Sequence, residues 1–146
     1  MSRLVNPISK GLFMAYDNTL TVIGNVVRDP ELQFLGSGVA LVKFSIADNQ
    51  KKMGGESEAH YFDCVAWREL GEHIAESFQS GQRVIVHGKL VQSRWQTDSG
   101  DNRSKVEIRV EDAGHSCRWG TAIFSRSEDN QQATKPKETV PVDEPF

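Results

Sequence analysis

Three large aromatic side chains stand on short β-type stretches with cations close by. A flat π-face beside a cation is what an unpaired base and its phosphate need. In the run Tyr61-Phe62-Asp63-Cys64-Val65-Ala66-Trp67, alternate side chains point to opposite faces of a strand. With Phe62, Cys64 and Ala66 directed into a core, Tyr61 and Trp67 point outward, and Arg68 follows directly. Trp95 ends a second such run, with Arg94 before it and the turn-like Thr97-Asp98-Ser99-Gly100-Asp101-Asn102 after it. The same rings also fit a plainer role, capping the edge of a core, because single surface aromatics are common.

The cations that could meet phosphate are Lys43, Lys51, Lys52, Arg68, Lys89, Arg94, Arg103 and Lys105. Lys43 and Lys89 lie on outward parities of their strands and are the better placed. Arg68 could instead serve helix packing, and Arg103 and Lys105 fit solvated surface charge equally well. Each real contact adds about 0.7 to the salt slope of single-strand binding. His60, His73, His87 and His115 make no metal-ligand spacing, and His87, outward on a strand, suits a subunit interface better than a metal. No nucleophile–base or carboxylate pair stands in a motif context, so neither enzymatic chemistry nor a metal or cofactor is expected. Cys64 and Cys117 form no CxxC pair, and Cys64 falls on the core parity, where a free buried thiol is the simplest outcome.

These residues need strands to hold them. From Thr19 the β-signal is strong: a strand over 20–27 carries Gly24, a bulge or bend position. Turn chemistry at Arg28-Asp29-Pro30-Glu31 and at Gly36-Ser37-Gly38 brackets the next stretch. Over 39–47 the pattern alternates, with Val42, Phe44 and Ile46 on one face and Lys43 and Ser45 on the other. Residues 48–58 read as a long, mobile hairpin loop, and 60–67 as the third strand. Leu70, Ile74 and Phe78 give one apolar stripe, predicting a helix over 69–79 that stops at Ser80-Gly81. Strands over 83–94, interrupted by Gly88, and over 105–112 follow, then a short apolar addition over 116–124. Three strands, one helix and two strands is the layout of a five-stranded Greek-key barrel of OB type. The fold class is therefore mainly β, with one helix between strands three and four.

The 146-residue chain suits one domain with tails: a flexible extension over 1–16, a body over 17–124 and a disordered acidic tail over 125–146. Met14-Ala15-Tyr16-Asp17 reads as a plausible natural start. The formal charge of −3 excludes a globally basic nucleic-acid binder but not a local positive groove. Three cations against five carboxylates from Gly120 onward leave the body at −1. No transmembrane run or signal-peptide stretch stands out, and a cytoplasmic, nucleoid-associated location is the expectation.

Five stretches together resemble the bacterial single-stranded DNA-binding (SSB) family. They are Thr21-Val22-Ile23-Gly24-Asn25-Val26 with Asp29-Pro30-Glu31; Trp67-Arg68 leading to Ala75-Glu76; and Ser80-Gly81-Gln82-Arg83-Val84-Ile85-Val86 with Gly88-Lys89-Leu90. The fourth is Arg94-Trp95 with Thr97-Asp98-Ser99-Gly100 and Arg103, and the fifth is the end Asp143-Glu144-Pro145-Phe146. The first four span about 19–113. Ser116-Cys117-Arg118-Trp119-Gly120-Thr121-Ala122 resembles an additional C-terminal strand of actinobacterial members, thought to clamp neighbouring subunits.

The resemblance implies an OB barrel, usually a homotetramer, that coats single-stranded DNA without catalysis in replication, recombination and repair. It implies stacking on Tyr61, Trp67 and Trp95, and docking of replication and repair proteins on a tip formed by Asp143, Glu144, Pro145 and Phe146. Two departures weaken DNA binding: Lys52 stands near the place of a further aromatic, and Asp63 stands where some relatives carry a cation. In the tip, Glu144 replaces the usual apolar residue before proline. The short tail, without a Gly/Gln-rich linker, is consistent with a secondary copy. An oligomeric OB-fold adaptor acting through proteins and a single-stranded RNA chaperone remain open alternatives, as does a merely solubilising tail.

Overall fold

The structure, a computed structural model, describes residues 17–127. Both the tip at 143–146 and the extension over 1–16 lie outside them. Strands β1 (Thr19–Val26), β2 (Glu31–Phe34), β3 (Ala40–Lys51) and β4 (Ser57–Trp67) precede the helix α1 (Arg68–Ser77), and β5 (Arg83–Gln96) and β6 (Asn102–His115) follow it. β1 pairs with β5, β5 with β6, β6 with β4, β4 with β3, and β3 again with β1. These ladders return to their starting strand, which gives the closed circuit expected of an OB fold. All are antiparallel except β4–β6. The core inside holds Val22, Val26, Val42, Phe44, Ile46, Cys64, Ile74, Phe78, Val84, Val86, Ile108 and Val110.

Several expectations are corrected. A sixth strand, β2, pairs along β3 from Glu31↔Lys43 to Phe34↔Ala40, so the helix lies between the fourth and fifth strands rather than the third and fourth. Glu31-Leu32-Gln33-Phe34 does alternate, but the run is four residues long between two turn signals, and all its side chains are exposed. The 48–58 loop is largely paired backbone: β3 and β4 stay in register out to Lys51↔Ser57. Its glycines, Gly54 and Gly55, sit in the tight turn with positive φ. Similarly, β5 and β6 remain paired to Gln96↔Asn102. These polar extensions bury little, so their backbone pairing holds them together instead of an apolar stripe. α1 ends at Ser77 with Phe78 as C-cap, short of the predicted Gln79. Gly81 instead makes the turn into β5, with its N–H donating to the Val26 carbonyl at 2.8 Å. The predicted addition over 116–124 contains no strand, and Trp119, Ile123 and Phe124 are exposed.

Of the two bend-forming glycines, Gly88 lies at a register shift of the β5–β6 ladder. Gly24 sits in a ladder of unbroken register. A Cβ there would come within 2.5 Å of both the Ala47 carbonyl oxygen and the Ile46 Cγ2. Its role is close approach where β1 leaves β5 for β3, since Asn25 is the partner of both Arg83 and Ala47.

Candidate nucleic-acid interface

The β3–β4 ladder builds the first part of the face. Its outward pairs are Leu41↔Trp67, Lys43↔Val65, Ser45↔Asp63 and Ala47↔Tyr61. Tyr61 is 66% exposed, Lys43 is exposed, and Trp67 is half-buried beside the buried Leu41. One stripe therefore carries a ring, a cation and a second ring. Val65 shares this parity and is nonetheless buried, so the stripe is not uniformly open to solvent. The inward parity of Cys64 is kept. Burial pushes its thiol up to about 12, with Asp63 and Glu107 adding to the rise.

Trp67 passes directly into α1. It is the N-cap, in extended conformation and without a side-chain cap hydrogen bond. Arg68 then has φ of 60°, a left-handed conformation that L-residues adopt only at a cost. This sharp reversal lets Gly71 settle on β4: a Cβ on Gly71 would come within 2.9 Å of the Ala66 carbonyl oxygen. The strained turn thus presents Trp67 and Arg68 at the barrel rim.

The β5–β6 ladder supplies the second part. Here Trp95 pairs with Arg103 and Ser93 with Lys105, and Trp95 is 47% exposed. β4 meets β6 only at Cys64↔Ile108 and Val65↔Arg109. Beyond that point the pairing ends, and the two ladders continue as separate hairpin arms. At the fork, Lys105 Nζ lies 3.2 Å from Asp63 Oδ2, and the Ser45 hydroxyl donates to Asp63 Oδ1 at 2.6 Å. The Ser45 hydrogen bond is the main reason the Asp63 carboxyl sits below its usual 3.8; partial burial opposes it and Lys105 adds to it. A groove of about 220 Å³ at this point is lined by Arg28, Lys43, Ser45, Asp63, Lys105 and Glu107, among others.

The predicted cations divide. Lys43, Lys51, Arg68 and Arg103 make no ion pair among the described residues. Lys52 is bound by Glu58 at 2.6 Å within its own arm. Lys89, predicted as a leading phosphate contact, lies between Thr19 of β1 and Arg109 of β6, with β6 separating it from the aromatic stripe on β4. Asp17, at 3.0 Å, and Glu111, at 3.7 Å, take up its ammonium, and Asp17 raises its pKa most. Arg94 alternates to the other side of its strand from Trp95 and donates to Gln92 Oε1 at 3.1 Å. Even so, Arg94, Trp95 and Arg103 border one open depression. His87 bonds Thr21 at 2.9 Å on the β1–β5 face, where Ile23 and Ile85 pair and are both exposed.

The sequence reading did not single out Arg28 or Arg109. Arg28 looked like a turn residue and lines the groove through the return of the chain from β1. Arg109 is exposed beside Val65, and its outward parity on β6 was the available signal. Among the described residues, no group of three or more His, Cys, Asp or Glu is arranged to hold a metal. No helix there is long and apolar enough to cross a membrane.

Residues 17–116 match the model of the single-strand binding protein family. A single-stranded DNA-binding protein of Mycobacterium leprae is 43% identical over 120 residues, covering 78% of this chain and 71% of that protein. The Mycolicibacterium smegmatis protein of the same name is also 43% identical over 120 residues, with 78% and 73% covered. That of Bifidobacterium longum is 36% identical over 124 residues, with 81% and 57% covered. With a closed ring of strands, a stripe carrying Tyr61, Lys43 and Trp67, and a match across the whole described barrel, the chain belongs to the single-strand binding protein family.

Proposed function

We propose that the chain binds single-stranded DNA, largely without regard to sequence, by stacking bases on Tyr61, Trp67 and Trp95 and by meeting phosphates with nearby cations. One observation carries the reading: Tyr61, Lys43 and Trp67 share one outward stripe, and Trp95 with Arg103 stands on the arm across the fork. The relatives' names support the ligand. Every base has a π-face, so this mode is tolerant of sequence. Lys43, Lys51, Arg68 and Arg103 are the first-choice phosphate contacts, and Lys52, Lys89, Arg94 and Lys105 are secondary ones. The activity is non-catalytic: it protects exposed strands during replication, recombination and repair. A cytoplasmic, nucleoid-associated location goes with it.

The working unit in this reading is a homotetramer of the body over 17–124. The exposed Ile23–Ile85 pair and the exposed Trp119, Ile123 and Phe124 support it, because apolar surface of this kind calls for a partner. The segment over 125–146 serves as a docking tail, in which Asp143, Glu144, Pro145 and Phe146 recruit replication and repair proteins.

The test is tryptophan fluorescence on titration with oligo-dT at low and moderate salt. Saturable quenching, lost in the double variant Trp67→Ala/Trp95→Ala, is the expected result; unchanged affinity in that variant sinks the stacking model. Deleting residues 143–146 should leave this binding intact. The ion pairs that occupy Lys52 and Lys105 favour one second reading, an adaptor that binds DNA weakly. Little quenching at moderate salt, with function lost on removing the tip, would select it. Stronger binding to a matched RNA strand in competition would select the RNA chaperone.

A further inference from the structure

Asp63 and Lys105 meet where the two hairpin arms part, and we propose that they form an exchangeable clasp: a phosphate of the bound strand takes Lys105 from Asp63. Asp63 then sets both the affinity and the salt response of the face. The inference rests on the single-strand reading above and assigns a role that the stacking residues alone do not imply.

The location comes first. The last β4–β6 partners are Cys64↔Ile108 and Val65↔Arg109, and Asp63 is the next residue of β4 toward the arms. Among the described residues, Asp63–Lys105 is the one side-chain ion pair that joins β4 to β6. It closes the fork between the arm bearing Tyr61 and the arm bearing Trp95 and Arg103. The pair therefore lies between the two sets of rings.

The two partners are held unequally. Asp63 is fixed by the Ser45 hydroxyl at 2.6 Å, on the adjacent strand in direct register. Lys105 has no other ion-pair partner among the described residues, and it sits on a flexible four-carbon stem. Its side chain is 44% exposed. Lys105 is therefore the partner that can move. Turning along its own arm, it comes toward Arg103, two residues away on the same face of β6, opposite Trp95. There it can share a phosphate beside that ring.

Energetics allow the exchange. An exposed pair contributes little, and the ammonium–phosphate bond that replaces it is charge-assisted like the ammonium–carboxylate bond given up. A phosphate near Lys105 in its present place would also face the Asp63 carboxylate, so repulsion favours moving the ammonium over bridging.

The test is oligo-dT titration of the full chain across a range of salt, for the wild type, Asp63→Asn, Lys105→Ala and the double variant. Removing the competitor should tighten binding about 2- to 5-fold, with the largest gain at low salt, where the competing pair is least screened. Lys105→Ala should then weaken binding more in the Asp63→Asn background than in the wild type. Asp63→Ser provides an independent second removal of the charge, and thermal melts report the fold of each variant. If Asp63→Asn and Asp63→Ser bind no tighter than the wild type, or if the Lys105→Ala loss is equal in both backgrounds, the clasp is wrong while single-strand binding stands. If no form quenches with oligo-dT, both readings fall.

Discussion

The carbonyl oxygen of Arg109 occupies the space that a Cβ on Gly88 would need. This contact falls at the register shift of the β5–β6 ladder, one step from where β6 also meets β4 through Val65↔Arg109. β6 is thus drawn close to β5 at the place where the circuit closes. Gly88→Ala would force backbone against backbone, a contact with no flexible end to give way. The expected cost is about 3 kcal/mol, the upper range for overpacking, read as a lower denaturation midpoint. Gly114→Ala, with open space at its Cβ position, should cost much less and serves as the comparison.

Trp67 and Trp95 separate folding from binding. Trp67 is half-buried against Leu41 and caps α1, whereas Trp95 stands on the arm at 47% exposure. Each ring removed should cost about 1–3 kcal/mol of single-strand affinity. Only Trp67→Ala should also lower the melting temperature. Equal melting temperatures for both variants would contradict the packing described for Trp67.

Arg68 offers a similar separation at one residue. Its φ of 60° is strained for arginine and open to glycine. Arg68→Gly should therefore raise stability, by about 0.5–1 kcal/mol after the extra flexibility of glycine in the unfolded chain is offset. If Arg68 meets phosphate, the same change should make the salt slope shallower by about 0.7. A stabilised variant with an unchanged slope would assign Arg68 to the turn alone.

The Ser45–Asp63–Lys105 link gives a pH dependence of stability. The Asp63 carboxyl is held below its ordinary 3.8, so the folded state favours the ionised form. That contribution is complete above the ordinary value and is lost as pH falls through the folded-state value. Wild type should melt above Asp63→Asn near neutral pH, and the difference should close in acid below 3.8. A gap that persists unchanged in acid would mean that the ionised carboxylate is not its source.

The two thiols should differ in reactivity. Cys64 is buried with its thiol pushed up to about 12, and Cys117 is exposed. At mildly alkaline pH a thiol reagent should modify one site per native chain. Cys117→Ser should abolish that reaction, and unfolding should restore a single reactive thiol in the variant.

Much of the barrel was legible in the sequence because strand alternation is local. Val42, Phe44 and Ile46 against Lys43 and Ser45, and Cys64 and Ala66 against Tyr61 and Trp67, follow from a two-residue period and the need to bury apolar groups. The helix followed from Leu70, Ile74 and Phe78 in the same way. β2 was not legible because it is only four residues long, and the hairpin arms were not because their residues bury little and backbone pairing alone makes them β. The role of each cation was also set at long range. Lys43 and Lys89 both alternate outward, but ring closure puts Lys43 between two rings and gives Lys89 to Asp17 and Glu111. Asp63 was visible as an outward acid. Its bonds to Ser45 and Lys105 depend on the β3–β4 register and on where β6 meets β4. By itself, then, the sequence determined which side chains leave the core. The tertiary structure decided which of them meet, because register and closure depend on packing the whole core at once.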